Sequence, residues 1–196
     1  MRGVTATLAL VASAALAASA HVQVTSTASD SRDRSDLQVA IAEKGRCTRF
    51  VDASAGIVAV ANASPGDQSA VTRLCLKATG QARVHLGVSG LTDLERACTG
   101  QESSVDPTCA PGAPGELAGS LVQLLSVEQK CFKEAPLSRH PLLALAGTPL
   151  NLGILDDQRV VCVVLAVRYE PSTAQAAQAA QTDRAEWRYV FGVTAQ

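Results

Sequence analysis

Six cysteines constrain this chain more than any other feature, because their number is even and all of them lie between residues 47 and 162. Their wide spacing argues against a metal site, which would use close pairs such as C-x-x-C. Disulfides are therefore predicted. Loop closure favours a bond between Cys98 and Cys109, eleven positions apart. The remaining pairs stay open, and order along the chain favours Cys47 with Cys75 and Cys131 with Cys162.

The first twenty residues predict export. Arg2 precedes an apolar stretch from Val4 to about Leu16, and Ala18-Ser19-Ala20 has the small-x-small pattern of a cleavage site. We expect cleavage between Ala20 and His21, and a secreted protein that is extracellular or associated with the cell surface. The alternative is an uncleaved membrane anchor, but a span needs ~20 strongly apolar residues, and this stretch is shorter and rich in Ala.

Charge and aromatic content argue against nucleic acid as a partner. Removing residues 1–20 removes one base and no acid, so 17 − 1 = 16 bases would face 18 acids, a net charge of −2. Aromatic residues make up only 3% of the chain. Nucleic-acid binding needs a basic surface and aromatic rings on which bases stack. We expect no nucleic acid, no membrane contact after signal removal, and as partners other copies of the chain or other cell-surface proteins.

Several short segments have the period of two that is typical of half-buried strands. Leu37, Val39 and Ile41 alternate with more polar neighbours, and so do the apolar residues of 187–193. The continuous β-branched run 160–167 predicts a strand buried on both faces. Further strands are predicted at 57–60, 71–76, 84–88 and 117–127, a helical turn at 141–146, and a short helix or a surface crossover at 174–180.

About seven short strands with turn signals between them predict an all-β fold, a two-sheet antiparallel β-sandwich with short helical or loop insertions. The predicted organisation has three parts. Residues 1–20 form the signal peptide, residues 21–35 an N-terminal strand with a flexible tether, and residues 36–196 the β-sandwich domain.

Several strings, taken in their order along the chain, resemble the TasA/camelysin family, in particular its secreted, signal-bearing members of actinobacterial type. The strings are 65–67 (PGD), 74–80 (LCLKATG), 91–93 (LTD), 98–100 (CTG), 105–109 (VDPTC), 115–117 (GEL), 150–155 (LNLGIL) and 187–191 (WRYVF). The resemblance covers most of the chain beyond the signal. It implies a jelly-roll type of sandwich, export, and fibres of a biofilm matrix. A metallopeptidase activity has also been attached to the camelysin branch.

The residues do not predict an enzyme. A zinc peptidase of the H-E-x-x-H type needs two histidines one helical turn apart, and that motif is absent. His21, His85 and His140 are each interpreted as solvated or hydrogen-bonded side chains. Ser89 lacks the G-x-S-x-G context of a nucleophile and is interpreted as a turn residue. We predict no catalytic residue, no bound metal and no cofactor.

Acidic residues cluster near the predicted Cys98–Cys109 loop. Carboxylates on loops can bind calcium, which takes six to eight oxygen ligands. Their spacing matches no known calcium loop, so a solvated acidic rim is predicted instead. The residues concerned are Asp93, Glu95, Glu102, Asp106 and Glu116.

The resulting functional hypothesis is a structural or interaction protein of the cell exterior. Val22 and Val24 alternate with polar residues, as in a strand that could add to the sheet edge of another copy. The alternative is that the same residues pair within their own domain. Two other functions stay open, a secreted camelysin-like metallopeptidase and a monomeric surface ligand-binding module.

Overall fold

The computed structural model describes residues 21–24, 37–52, 56–61 and 63–195. The predicted signal peptide, with Ala20 at its end, and the predicted tether over residues 27–35 lie outside the described residues, so both stay predictions. The strands are β1 (His21–Val24), β2 (Leu37–Glu43), β3 (Arg46–Cys47), β4 (Val51–Asp52), β5 (Gly56–Ala61), β6 (Thr72–Ala78), β7 (Ala82–Glu95), β8 (Leu121–Glu128), β9 (Ser138–Pro141), β10 (Leu150–Leu155), β11 (Val160–Tyr169) and β12 (Asp183–Ala195). The helices are α1 (Glu102–Val105), α2 (Leu142–Gly147) and α3 (Ala174–Ala179), and Leu117–Ser120 forms a 3-10 turn.

Two antiparallel sheets pack face to face, which confirms the predicted all-β, two-sheet sandwich. The five-stranded sheet has the order β1-β5-β12-β7-β10. The seven-stranded sheet has the order β3-β2-β6-β11-β8-β9, and β4 also pairs with β2. Every pairing between these strands is antiparallel.

The strand β11 has the two-sided burial that its continuous apolar sequence predicts. It lies between β6 and β8. Val161, Val163 and Leu165 point into the core between the sheets. Cys162 and Ala166 are also buried, on the opposite face of the strand. The alternation predicted for β12 is also observed, since Trp187 and Tyr189 are buried while Val190 is exposed.

The long strands β7 and β12 pair along almost their whole length and are offset once. Glu186 pairs with Thr92, but Arg188 pairs with Ser89, so the chain around Gly90 forms a bulge. Gly90 has φ +59°, a left-handed conformation that glycine adopts without steric cost. The interpretation of Ser89 as a turn residue is therefore wrong, because the bulge keeps it inside a paired strand.

The helical segments are close to their predictions, and one strand is shorter than predicted. Helix α2 lies where a helical turn is predicted at 141–146. Helix α3 begins after Thr173, whose hydroxyl accepts a hydrogen bond from the N–H of Ala176. The strand predicted from residue 117 starts only at Leu121. Residues 117–120 form the 3-10 turn because acidic side chains hold the N–H groups of Leu117 and Ala118.

Three disulfides join Cys47 to Cys75, Cys98 to Cys109 and Cys131 to Cys162, the pairs that chain order and loop closure favoured. Two of them are neighbours on the face of the seven-stranded sheet turned away from the core. There the Sγ atom of Cys162 lies 3.8 Å from that of Cys47 and 3.7 Å from that of Cys75. We call these four cysteines, with the buried Ala40 between them, the sulfur patch.

Candidate metal centre: a buried carboxylate cluster

Six carboxylates meet at one end of the five-stranded sheet, where β7 ends and β12 begins. The pairing of these strands sets Asp183 opposite Glu95, with Asp93 two residues before Glu95. The loop that follows β7 supplies the other three. Glu102 lies in α1, Asp106 directly follows α1, and Glu116 directly precedes the 3-10 turn. The members of this carboxylate cluster are Asp93, Glu95, Glu102, Asp106, Glu116 and Asp183.

Most of the cluster is buried, so the predicted solvated acidic rim is wrong. Glu102 and Asp183 are 0% exposed, Glu95 is 3% exposed and Asp106 is 8% exposed. Asp93 is half-buried, and Glu116 is the exposed member of the cluster. The prediction assumed that the acids lie on a loop extending into solvent, whereas the loop folds back across the end of β7.

The disulfide Cys98–Cys109 and two backbone hydrogen bonds hold that loop in place. The N–H of Glu95 donates to the carbonyl of Ala113 over 3.0 Å, and the N–H of Gly112 donates to the carbonyl of Glu95 over 2.9 Å. The chain therefore leaves β7 and doubles back onto its last residue. The acids of the loop are carried inward by this return, which explains their burial.

Backbone N–H groups fix the orientation of the two strand acids. Asp183 Oδ2 accepts hydrogen bonds from the N–H groups of Glu116 over 2.6 Å and Leu117 over 3.0 Å. Asp93 Oδ2 accepts one from the N–H of Ala118. Each of these hydrogen bonds favours the ionised form of the carboxylate that accepts it. One oxygen of each acid is thus committed to the 3-10 turn, and the other is left over.

The loop acids are oriented in the same way. Both oxygens of Glu102 accept hydrogen bonds. Oε1 accepts from the N–H of Thr182 over 3.1 Å, and Oε2 accepts from the hydroxyl of Thr182 over 2.9 Å and from the N–H of Thr99 over 3.2 Å. Asp106 Oδ1 accepts from the N–H and the hydroxyl of Thr108 over 2.9 and 2.6 Å. Glu102 is therefore an anchor between the loop and β12, while Asp106 keeps one oxygen unused.

Four oxygens of the cluster are buried without a hydrogen-bond partner. They are Asp93 Oδ1, Glu95 Oε1, Asp106 Oδ2 and Asp183 Oδ1. The Sγ atom of Cys109 lies 3.5 Å from Glu95 Oε2, but a disulfide sulfur has no hydrogen to donate. No ion pair between described residues includes a member of the cluster. Buried charges without partners are costly, so this arrangement needs a proton or a cation.

Burial and mutual repulsion shift the acid strengths. Burial raises the pKa of Glu95 to about 8, and the negative charge of Asp183 adds to the rise. Burial likewise raises the pKa of Asp93 to about 6. The pKa values of Asp183 and Glu116 also rise, with burial as the largest cause. The cluster therefore binds protons more strongly than free carboxylates do.

Two groups of three carboxylates are each close enough to hold an ion. Oxygens of Glu95, Glu102 and Asp183 all lie within 4.8 Å of one another, and the same holds for Glu95, Asp106 and Glu116. Glu95 belongs to both groups. Because the donors are all oxygens, the cluster suits hard cations rather than zinc or copper.

Gly115 leaves the space in which two of the acids approach each other. A Cβ atom at this position would lie 2.7 Å from Cγ and Oδ2 of Asp183 and 2.9 Å from Oδ1 of Asp93. No side chain larger than hydrogen fits there without displacing these carboxylates. The nearby Gly119 has no atom within 4 Å of its equivalent position, so the crowding is specific to Gly115.

The histidines lie apart from this cluster. His140 is on β9, where its Nε2 lies 2.9 Å from the hydroxyl of Ser138. His85 is on β7 and borders an open surface groove of about 540 Å³ that Ser89 and Pro149 also line. His21 lies in β1. Among the described residues, no group of side chains close enough to hold a metal includes a histidine.

Sequence reasoning found five of the six acids and missed Asp183. That residue lies 67 positions from Glu116 in the chain, and only the pairing of β12 with β7 brings it to the cluster. The available signal was its position at the start of an amphipathic strand. Gly115 was noted only as part of the GEL string, because a steric requirement of this kind has no sequence pattern.

The comparisons with known proteins add no relative: no family model, no curated protein and no solved structure matches this chain. Within the part of the chain that the structure describes, no helix is long and apolar enough to cross a membrane.

Proposed function

We propose that this chain is an exported structural or interaction protein of the cell exterior, whose copies associate by exchanging strand β1. Three disulfides support an oxidising location outside the cytoplasm. The apolar segment that ends at Ala20 supports export. Among the described residues no metal-binding group includes a histidine, which favours a structural role over the metallopeptidase alternative.

In the single chain β1 pairs within its own domain, which is the alternative stated in the sequence analysis, and its position at the sheet edge carries the proposal of exchange between copies. It lies at the edge of the five-stranded sheet and pairs there with β5 alone, from His21 opposite Ala59 to Val24 opposite Gly56. An identical strand from another copy would make the same backbone pairing with β5. Exchange of such a strand costs little free energy, because each pairing that is lost is made again between molecules.

The chain between β1 and β2 is long enough for the exchange. Residues 25–36 number twelve, and a fully extended chain of that length spans up to ~40 Å. That reach exceeds the width of a sheet of five strands spaced ~4.8 Å apart. If each copy donates β1 to the next, the contact is head-to-tail and does not close, so it builds a filament.

The proposal is tested by comparing residues 21–196 with residues 36–196 at equal concentration, using light scattering and negative-stain microscopy. We expect the longer protein to associate as its concentration rises and the shorter one to remain monomeric. Two point variants provide a matched pair. Val22→Pro with Val24→Pro removes backbone donors that a strand needs, whereas Val22→Ala with Val24→Ala keeps them.

We expect the proline pair to remain monomeric and the alanine pair to associate, with circular dichroism showing that both retain the fold. If all four proteins behave alike, β1 is not the donor and the exchange is wrong. Casein cleavage that survives repurification and disappears with a chelator would favour the metallopeptidase alternative instead.

A further inference from the structure

We propose that the carboxylate cluster is a calcium-binding site, with Glu95 as its central ligand, Asp183, Asp106 and Glu116 as further ligands, and Asp93 as an additional negative charge beside Asp183. This inference does not depend on the exchange of β1.

The first step is the need for a positive charge. Glu95 and Asp183 are at least 97% buried, face each other across paired strands, and each has an oxygen without a partner. Asp106 is 92% buried and has one as well. No described ion pair neutralises any of them. Several ionised carboxylates at this depth are unstable unless a cation binds between them.

The second step is preorganisation. The second oxygens of Asp93, Asp106 and Asp183 are held by the N–H groups of Ala118, Thr108 and Leu117. One oxygen of each carboxylate is thereby held in place, while the other is buried without a partner. A site whose ligands are already oriented loses less conformational entropy when the ion binds. These contacts are what distinguish the cluster from an accidental group of surface acids.

The third step is the choice of ion. Calcium accepts six to eight oxygens at ~2.3–2.6 Å, so two ligands of one calcium lie at most ~5 Å apart. The oxygens of Glu95 with Glu102 and Asp183, and those of Glu95 with Asp106 and Glu116, fall within 4.8 Å of one another. Magnesium requires a smaller, near-ideal octahedron and keeps several waters, which suits a many-carboxylate site less well. Glu116 is the exposed member of the cluster and therefore the ligand nearest solvent.

The competing explanation is a shared proton. A protonated Glu95 that donates to Asp183 would also satisfy two of the unpartnered oxygens, as in other buried carboxyl pairs. The two explanations differ in what they require from solution. A proton-sharing pair needs no ion, whereas a calcium site raises the stability of the fold with calcium, and less with an equal concentration of magnesium.

The test uses residues 21–196 after treatment with a chelating resin, at pH 7.5. Isothermal titration with CaCl₂ and thermal unfolding with no added ion, with CaCl₂ and with MgCl₂ are measured. We expect one calcium per chain and, at about 100 times the dissociation constant, a rise in Tm of about 5 °C or more. Magnesium at the same concentration is expected to raise Tm less than calcium does.

Two variants and a control locate the site. Glu95→Gln keeps the size of the side chain and removes its charge, so we expect calcium affinity to fall at least about tenfold. If Glu95→Gln does not fold, Asp106→Asn replaces it, because the Oδ1 atom of an asparagine at position 106 can still accept hydrogen bonds from Thr108. Glu43→Gln makes the same chemical change at an exposed acid of β2 and is expected to bind calcium as the parent does.

The proposal is overturned if calcium causes neither heat nor a Tm shift, if magnesium stabilises the protein as much as calcium does, or if Glu95→Gln or Asp106→Asn binds calcium as tightly as Glu43→Gln.

Discussion

The sulfur patch and the carboxylate cluster are both buried regions outside the main core, and they are stabilised by opposite means. In the sulfur patch, two disulfides and Ala40 form an apolar contact that β2, β6 and β11 hold in place. Arg73 and Glu128 form an ion pair at 2.9 Å, so the acid nearby is neutralised. In the carboxylate cluster, six acids meet and no described base pairs with them.

The difference teaches that burial alone does not make a region self-sufficient. Disulfide cysteines do not titrate, so the cross-links of the sulfur patch are broken by reductants rather than by a change of pH. The cluster depends on protons or cations, because its charges have no partner within the fold. The sulfur patch is therefore cross-linked covalently, whereas the carboxylate cluster takes its neutralising charge from solution.

The largest effect is expected from opening the sulfur patch. Replacing Cys131→Ser together with Cys162→Ser removes a cross-link that spans 31 residues. The chain-entropy model gives a loss of about 3.5 kcal/mol in unfolding free energy, measured by urea denaturation. We expect the same loss with and without calcium, because the patch lies apart from the cluster. A loss that calcium reverses would contradict the separation of the two regions.

A smaller effect is expected from Gly115→Ala, which places a methyl group 2.7 Å from the carboxylate of Asp183. Overpacking of this kind costs about 1–3 kcal/mol in unfolding free energy, and we also expect weaker calcium binding because Asp183 must move. The matched control is Gly119→Ala in the adjacent turn, where a methyl group meets no atom within 4 Å. Equal behaviour of the two variants in urea denaturation and calcium titration would show that Gly115 does not shape the site.

An effect of pH is also expected, and it concerns the protein without calcium. Without calcium, burial raises the pKa of Glu95 in the folded state to about 8, above its ordinary 4.5, so between these values the folded state binds more protons than the unfolded state. Stability without calcium therefore falls as pH rises from about 5 to 8, and Tm measured across that window should decline. Glu95→Gln is expected to reduce the decline. A Tm that rises with pH across the window would contradict the burial of an unpaired Glu95.

The two regions also differ in how far the sequence predicts them. The alternation in β12 and the apolar run of β11 predicted strands that the structure contains, because burial of a strand face follows from local pattern. The late start of β8 was missed, because the N–H groups of Leu117 and Ala118 bind acids from other strands. The sequence cannot indicate that Asp183 lies opposite Glu95, since that pairing joins residues 88 positions apart (183 − 95).

The account depends most on the presence of a cation between Glu95 and Asp183, and anomalous X-ray scattering tests this most directly. Residues 21–196 are crystallised with calcium, and the crystals are then soaked with terbium, which takes similar oxygen ligands. We predict an anomalous peak about 2.3–2.6 Å from oxygens of both acids. Absence of a peak, together with a distance of about 2.5–2.7 Å between an oxygen of Glu95 and one of Asp183, would show a shared proton and contradict the account.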